Sequence, residues 1–294
     1  MKRIRHIGAI WKQNDVVDLA DFGIKIEEGY DHFNIEENEN YQKIKSTILN
    51  RNREVLSDKI TGYHPENNPN QKRDLFDRLA VVRFDKKEIK KASYYSFFLK
   101  SFGYPQPDKD FNYQERVYEF SCPVVSNQGC CGFSDRQKDS FYISKVPRFN
   151  SKNLLFSLNW EPDVVLIQKE FFSTFFEPRG YTSIPVFKKL GKEEAKDVVQ
   201  LKIPICKSPL DLSDSWYSDT GSVCKCCGTI RYSNQTCDFL PPFKNDTNQE
   251  LCLSQEIFGS GGSSFRRIII SKNFFSELSQ HFSYPERSLI PSEN

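Results

Sequence analysis

Apolar and polar positions along this chain switch in short blocks, each of which predicts a strand or a helix. Arg78-Leu-Ala-Val-Val-Arg-Phe84 is rich in branched residues and predicts a strand. Asp85 follows as a helix N-cap, with Glu88 at the third helical position, the arrangement of a capping box. Ile89, Ala92, Tyr95, Leu99 and Phe102 then recur at spacings of three and four, which predicts one helix running to residue 102. Gly103 and Tyr104-Pro-Gln-Pro107 close it. Gly180-Tyr-Thr-Ser-Ile-Pro-Val-Phe187 reads as a strand. Val199, Leu201, Ile203 and Ile205 alternate with polar residues and Pro204, which predicts a half-buried strand near a sheet edge. Residues 1–75 carry the weakest pattern; their amide-rich stretches 34–41 and 65–71 read as solvated surface.

From residue 116 onward the pattern echoes itself. Val164-Val-Leu-Ile-Gln-Lys169-Glu-Phe-Phe-Ser173 matches Arg267-Ile-Ile-Ile-Ser-Lys272-Asn-Phe-Phe-Ser276. Each is a short apolar strand, a polar residue, and Lys-x-Phe-Phe-Ser opening a helix. Cys130-Cys131-Gly132 precedes the first and Cys226-Cys227-Gly228 the second. A duplicated knuckle–strand–helix unit is the simplest reading. The expected fold is therefore α+β, a mixed sheet with packed helices. Residues 1–115 would form an N-terminal α+β region and residues 116–294 the duplicated cysteine-knuckle domain.

Charge and cysteine usage narrow the function. The 41 basic and 39 acidic residues give a net charge of +2 with well-mixed signs, which disfavours a nucleic-acid backbone as partner. The basic start Met1-Lys-Arg-Ile-Arg-His6 lacks the apolar core of a signal peptide, and no apolar run is long enough for a membrane helix. Nine cysteines are then expected in a reducing cytoplasm, in metal sites or as buried thiols and not in disulfides.

Cys224-Lys-Cys-Cys227-Gly228 contains Cys-x-x-Cys-Gly, a spacing that lets two thiolates reach one zinc ion at about 2.3 Å. The glycine suits the positive φ of a tight knuckle. The other half-site is irregular: Cys122-Pro123 begins like a knuckle and Cys131-Gly132 ends like one, with eight residues between the cysteines. The expected zinc ligands are Cys122, Cys131, Cys224 and Cys227, with Cys130 an alternative to Cys122. The competing reading is a pair of turns packed by buried thiols. Cys206, Cys237 and Cys252 read as buried or incidental.

Catalytic signatures are missing. His6, His32, His64 and His281 have no metal-ligand spacing, and there is no Gly-x-Ser-x-Gly elbow. Phe258-Gly-Ser-Gly-Gly-Ser-Ser-Phe265 leads into a strand instead of a helix, the wrong order for a phosphate cradle.

Taken with Tyr104-Pro-Gln-Pro107, Asn159-Trp160-Glu-Pro-Asp163 and the closing Ile257-Phe258, Phe265 and Ile269-Ile-Ser-Lys-Asn-Phe-Phe275, the two Cys-Cys-Gly elements give residues 104–294 a character of their own. This region resembles the double-CXXCG motif proteins of bacteria. The resemblance implies a cytoplasmic immunity-type protein, not an enzyme, that neutralises a contact-delivered or swarming-inhibition toxin by stoichiometric binding. The knuckles would then be structural staples, and exposed aromatics such as Trp160 and Tyr181 would be candidate anchors. The rival expectations are a zinc-knuckle module that binds nucleic acid or a regulatory protein, and an enzyme with a deep polar cleft.

Overall fold

The computed structural model describes residues 1–49, 76–99, 101–102, 116–119, 122, 136–151, 153–158, 161–188, 193–213, 215–236, 238–259, 264–281 and 289–293. Two units divide the chain: Met1–Glu88 with Thr236–Asp238, and Ile89–Gln235 with Phe239–Asn294.

The first unit contains β1 (Lys2–Trp11), α1 (Gln13–Ala20), β2 (Gly29–Glu36), α2 (Glu39–Ile44) and β3 (Phe76–Arg83). The strands form an antiparallel sheet in the order β2-β1-β3. One face of β1 buries Ile7, Ala9 and Trp11 in a cluster with Leu19, Tyr41 and Ile44 from the helices. Arg5 shares that face, its guanidinium 5.5 Å from the centre of the Tyr41 ring. The stretch 34–41, expected as solvated surface, is exposed or partly exposed except at Tyr41; it ends β2 and opens α2. The Asn38 side chain accepts from the backbone N–H groups of Asn40 and Tyr41, and Tyr41 enters the core.

The capping box at Asp85 forms as expected. Its carboxylate accepts from the N–H groups of Lys87 and Glu88, and the Glu88 carboxylate accepts from the N–H of Asp85. The long helix does not form. α3 (Lys86–Lys91) ends after six residues, and the chain extends into β4 (Tyr94–Phe97) and β5 (Ser101–Phe102). Tyr95, Phe97 and Leu99 are all buried at period two, so sheet pairing overrides the helical spacing. The stop signal at 103–107 lies outside the described residues.

The second unit continues with β6 (Tyr118–Glu119), β7 (Arg136–Gln137), β8 (Tyr142–Ile143), β9 (Leu155–Leu158), β10 (Glu161–Gln168) and the short α4 (Lys169–Phe171). β11 (Thr182–Lys188), β12 (Glu193–Lys202), β13 (Ser222–Val223), β14 (Ile230–Tyr232), β15 (Leu251–Phe258), β16 (Phe265–Ser271), α5 (Lys272–Leu278) and β17 (Leu289–Pro291) complete it. Two six-stranded mixed sheets result, in the orders β5-β9-β10-β12-β11-β8 and β13-β14-β15-β16-β4-β17. With helices in both units, the fold is α+β. β12 lies inside its sheet; Pro204, which suggested an edge, falls beyond the strand end.

Both echoed segments form a strand followed by a helical turn, as the pattern predicts. β10 runs into α4 and a wide turn at Phe172–Phe176, and β16 runs into α5. The Ser271 hydroxyl caps α5 by accepting from the N–H of Phe274. Facing sides of the two sheets and both helices share one core, including Val165, Ile167, Phe171, Phe175, Phe176, Ile268, Ile270 and Phe274. The other side of β10 buries Val164 and Leu166 against Phe141, Ile143 and Val186. Burial on both faces explains why β10 reads as an unbroken apolar run.

Strand directions match across five positions of the two sheets. Along β5-β9-β10-β12-β11 the pairings run parallel, antiparallel, antiparallel, antiparallel. Along β14-β15-β16-β4-β17 they run in the same sequence.

Candidate metal centre

The second Cys-Cys-Gly element sits at the tip of a short hairpin. β13 and β14 pair antiparallel through Ser222↔Arg231 and Val223↔Ile230, and the turn between them holds the cysteines. The N–H of Cys224 donates to the carbonyl of Thr229, and the N–H of Gly228 donates to the carbonyl of Cys224, each at 2.9 Å. Gly228 has φ +74°, a backbone conformation that glycine adopts at no steric cost. The glycine signal in the sequence therefore marks a real reversal of the chain.

Cys224 is buried and its sulfur lies 3.7 Å from that of Cys122, which is fully buried. Ile257 of β15 covers the pair. Cys226, which is exposed, brings a third sulfur, and the three Sγ atoms lie within 4.8 Å of one another. Zinc bound tetrahedrally at about 2.3 Å sets its thiolate sulfurs about 3.8 Å apart, and the Cys122–Cys224 distance meets that requirement. Two buried thiols in simple van der Waals contact would sit equally close, so the convergence of the third sulfur is what makes this group able to hold a metal.

Of the four expected ligands, Cys122 and Cys224 are brought together across a sequence distance no local motif would predict. Cys131, like Cys130, lies outside the described residues. Cys227 is exposed and its thiol donates to the Thr229 hydroxyl at 3.1 Å, away from the group. Cys226 stands in its place. Adjacent side chains diverge, so a turn that buries Cys224 can aim only one of the next pair inward. Nothing in the Cys-x-x-Cys spacing identifies which.

Oxidation states differ within the cluster. Cys122, Cys224 and Cys227 are thiols, whereas Cys226 is disulfide-bonded. Cys206 and Cys252 form a second disulfide, with Cα atoms 5.2 Å apart. The sequence reads both as buried or incidental. They are buried as anticipated, but a bridge between Ile205 and Leu253 and the Cys206 N–H donating to the Leu253 carbonyl align them for pairing. The expectation of uniformly reduced cysteines therefore does not describe this structure.

Other candidates lead to packing. His281 lies against the rings of Phe171 and Phe175, and His6 bonds to the Asn34 side chain. Trp160 is outside the described residues. Tyr181 is half-buried against Phe176 and Phe274. It also lines a cavity of about 330 Å³ with Arg179, Lys202, Gln249 and Glu250. Burial, with a contribution from Glu250, pushes the Tyr181 hydroxyl up to about 12, so it stays protonated near neutrality. Arg179 donates to the Phe175 carbonyl and the Glu277 carboxylate. Phe258 and Phe265, which flank the Gly-Ser segment in sequence, pair antiparallel in register; residues 260–263 lie outside the described residues. No helix among the described residues is long and apolar enough to cross a membrane.

One feature of the hairpin carried no sequence signal. Val223 and Ile230, partners across β13 and β14, are 62% and 45% exposed, beside the cysteine turn. Comparison with family models, with curated proteins and with solved structures finds no match to this chain.

Proposed function

We propose that this chain is a partner-binding protein of the immunity type, which neutralises a bacterial toxin in the cytoplasm by stoichiometric contact, with a zinc-thiolate knuckle as its staple. The observation that carries the reading is the exposed pair Val223 and Ile230. Two large apolar side chains standing side by side on an edge hairpin cost solvation free energy unless another protein covers them. β13 is also the end strand of its sheet, so a strand of the partner can extend the ladder there. A metal bound by Cys122 and Cys224, and by Cys226 once its disulfide is reduced, would hold the turn rigid beneath this surface, and zinc suits thiolate donors. The matched strand directions in the two sheets, together with the repeated Lys-x-Phe-Phe-Ser, support reading the C-terminal two thirds as a duplication. In the second copy β4 and β17 would occupy the places of β12 and β11.

The test is purification of the tagged chain from its host, followed by mass spectrometry of whatever is retained in equal amount. Val223→Asp and Ile230→Asp, with unfolding transitions within about 0.5 kcal/mol of the parent because both sites are exposed, should each release a small toxin domain. Retention of the same partner by both variants would move the interface elsewhere. Retention of nucleic acid, lost as salt is raised, would replace the toxin reading with the nucleic-acid one.

A further inference from the structure

The cavity beside Tyr181 gathers charged groups that the fold leaves unused. It lies within the second unit, where β11 and β12 of one sheet meet the start of β15 in the other, and its volume is about 330 Å³. That is the low end of the range for small-molecule sites, about 300–1,000 Å³. Lys202, at the end of β12, and Glu250, just before β15, both line it. Neither side chain makes a hydrogen bond or an ion pair among the described residues. Opposite charges from two sheets thus share one cleft without reaching each other, which leaves a dipolar molecule room to bridge them.

The rest of the lining is held in place. Gly180, at φ +82°, reverses the chain so that the Tyr181 N–H donates to the Phe176 carbonyl. The Arg179 guanidinium lies 4.1 Å from the centre of the Phe175 ring, fixed there by its bonds to the Phe175 carbonyl and the Glu277 carboxylate. Its other N–H groups have no acceptor among the described residues. Across the cavity, the Cys206–Cys252 disulfide and the Leu253 N–H, which donates to the Pro204 carbonyl at 2.8 Å, tie together the segments that carry Pro204 and Leu251. Glu277 already balances Arg179, so the cleft offers one uncompensated cation and one uncompensated anion. That balance matches a zwitterion and disfavours phosphate, which would meet the Glu250 carboxylate.

We propose that this cleft binds a free α-amino acid with an apolar side chain, its carboxylate held by Lys202 and Arg179, its ammonium by Glu250, and its side chain by Pro204 and Leu251. The Tyr181 hydroxyl is protonated at neutral pH and adds a further donor for the carboxylate. No residue of the cysteine hairpin lines the cleft, so the site stands apart from the partner surface.

The experiment is isothermal titration calorimetry of the full chain with L-leucine and L-phenylalanine at neutral pH. One of the two should bind with a dissociation constant of about 1 mM or tighter, at one molecule per chain. For leucine, the analogues are isocaproate, which lacks the ammonium, and leucinamide, which lacks the carboxylate. Each should bind at least about 10-fold more weakly, because each strands a charged group of the cleft. Lys202→Met and Glu250→Gln change exposed side chains. Both variants should keep the circular-dichroism spectrum and the unfolding transition of the parent while weakening the amino acid by a similar factor. Inorganic phosphate should not compete. Absence of binding by either amino acid at about 10 mM, ten times a millimolar dissociation constant, would overturn the proposal. Leucinamide or isocaproate binding as tightly as leucine would overturn the zwitterion reading. Affinity unchanged in both variants would place the amino acid elsewhere and remove the site.

Discussion

Asp163 joins the two sheets of the second unit at a single atom: its Oδ2 accepts the backbone N–H of Arg266 at 2.9 Å. Burial pushes the carboxyl above its ordinary value, and the Arg266 N–H with its nearby guanidinium only partly opposes the shift. Burial pushes Glu256 up as well, although its carboxylate accepts from the N–H of Leu210. A carboxyl with a folded pKa above its unfolded one binds more protons in the folded state. The stabilisation it offers is complete at low pH and is lost as pH rises from 3.8, the ordinary value for aspartate, through the raised folded value. These two groups therefore oppose the usual gain in stability between acid and neutral pH. Asp163→Asn keeps an acceptor for the Arg266 N–H and removes the titration. Its unfolding midpoint in urea, compared with the parent at several pH values, should gain most at neutral pH and least near pH 4. A gain independent of pH would show that the carboxyl titrates normally.

At the scale of elements, α5 is where the phenylalanine-rich composition becomes structure. Phe274 is fully buried, with ring centres 5.6 Å from Phe175 and 5.9 Å from Phe176, so one side chain ties α5 to the turn that follows β10. Phe274→Ala should cost about 3–5 kcal/mol by calorimetry or urea unfolding; a loss below 1 kcal/mol would mean that this junction is loosely packed. The Lys-x-Phe-Phe-Ser echo made both helical turns legible in the sequence, and the branched runs did the same for β3, β10 and β16. The stretch after Lys91 was not legible, because Tyr95 and Leu99 satisfy a helical period and a strand period alike. Only pairing with β16 and β17 decides between them. In β1, Arg5 stands on the buried side and Ile4 on the other, which blurs the alternation that would have announced it. The metal group was half legible. The glycine and the Cys224 turn follow from local chemistry, but the choice of Cys226 over Cys227 depends on where Cys122 arrives, and that is a tertiary fact.

On the scale of the whole molecule, the second sheet is assembled from distant parts of the chain. β4 lies between β16 and β17, and all of its ladder partners come from the far end of the sequence. Backbone bonds tie that end down further: the N–H of Leu240 donates to the Pro291 carbonyl, and the Ser292 hydroxyl accepts from the N–H groups of Ser93 and Tyr94. Leu289 and Ile290 are each 4% exposed. Removing residues 289–294 should therefore lower stability by more than about 4 kcal/mol, beyond the range of ordinary single substitutions. It should also speed amide exchange in β4 while β9 and β12 keep their protection, as hydrogen-exchange mass spectrometry would read. Unchanged protection in β4 would mean that β16 alone holds it.

The placement of β4 also imposes an order of events on biosynthesis. A ribosome making this chain emits β4 early and its neighbours late, so the strand waits unpaired through the synthesis of the intervening sheet. Few early contacts offset the cost of closing so long a loop, so this half folds slowly. The aromatic Tyr94 and Tyr95 are then open to chaperones, or to one another on neighbouring nascent chains, until Leu289–Pro291 have been made.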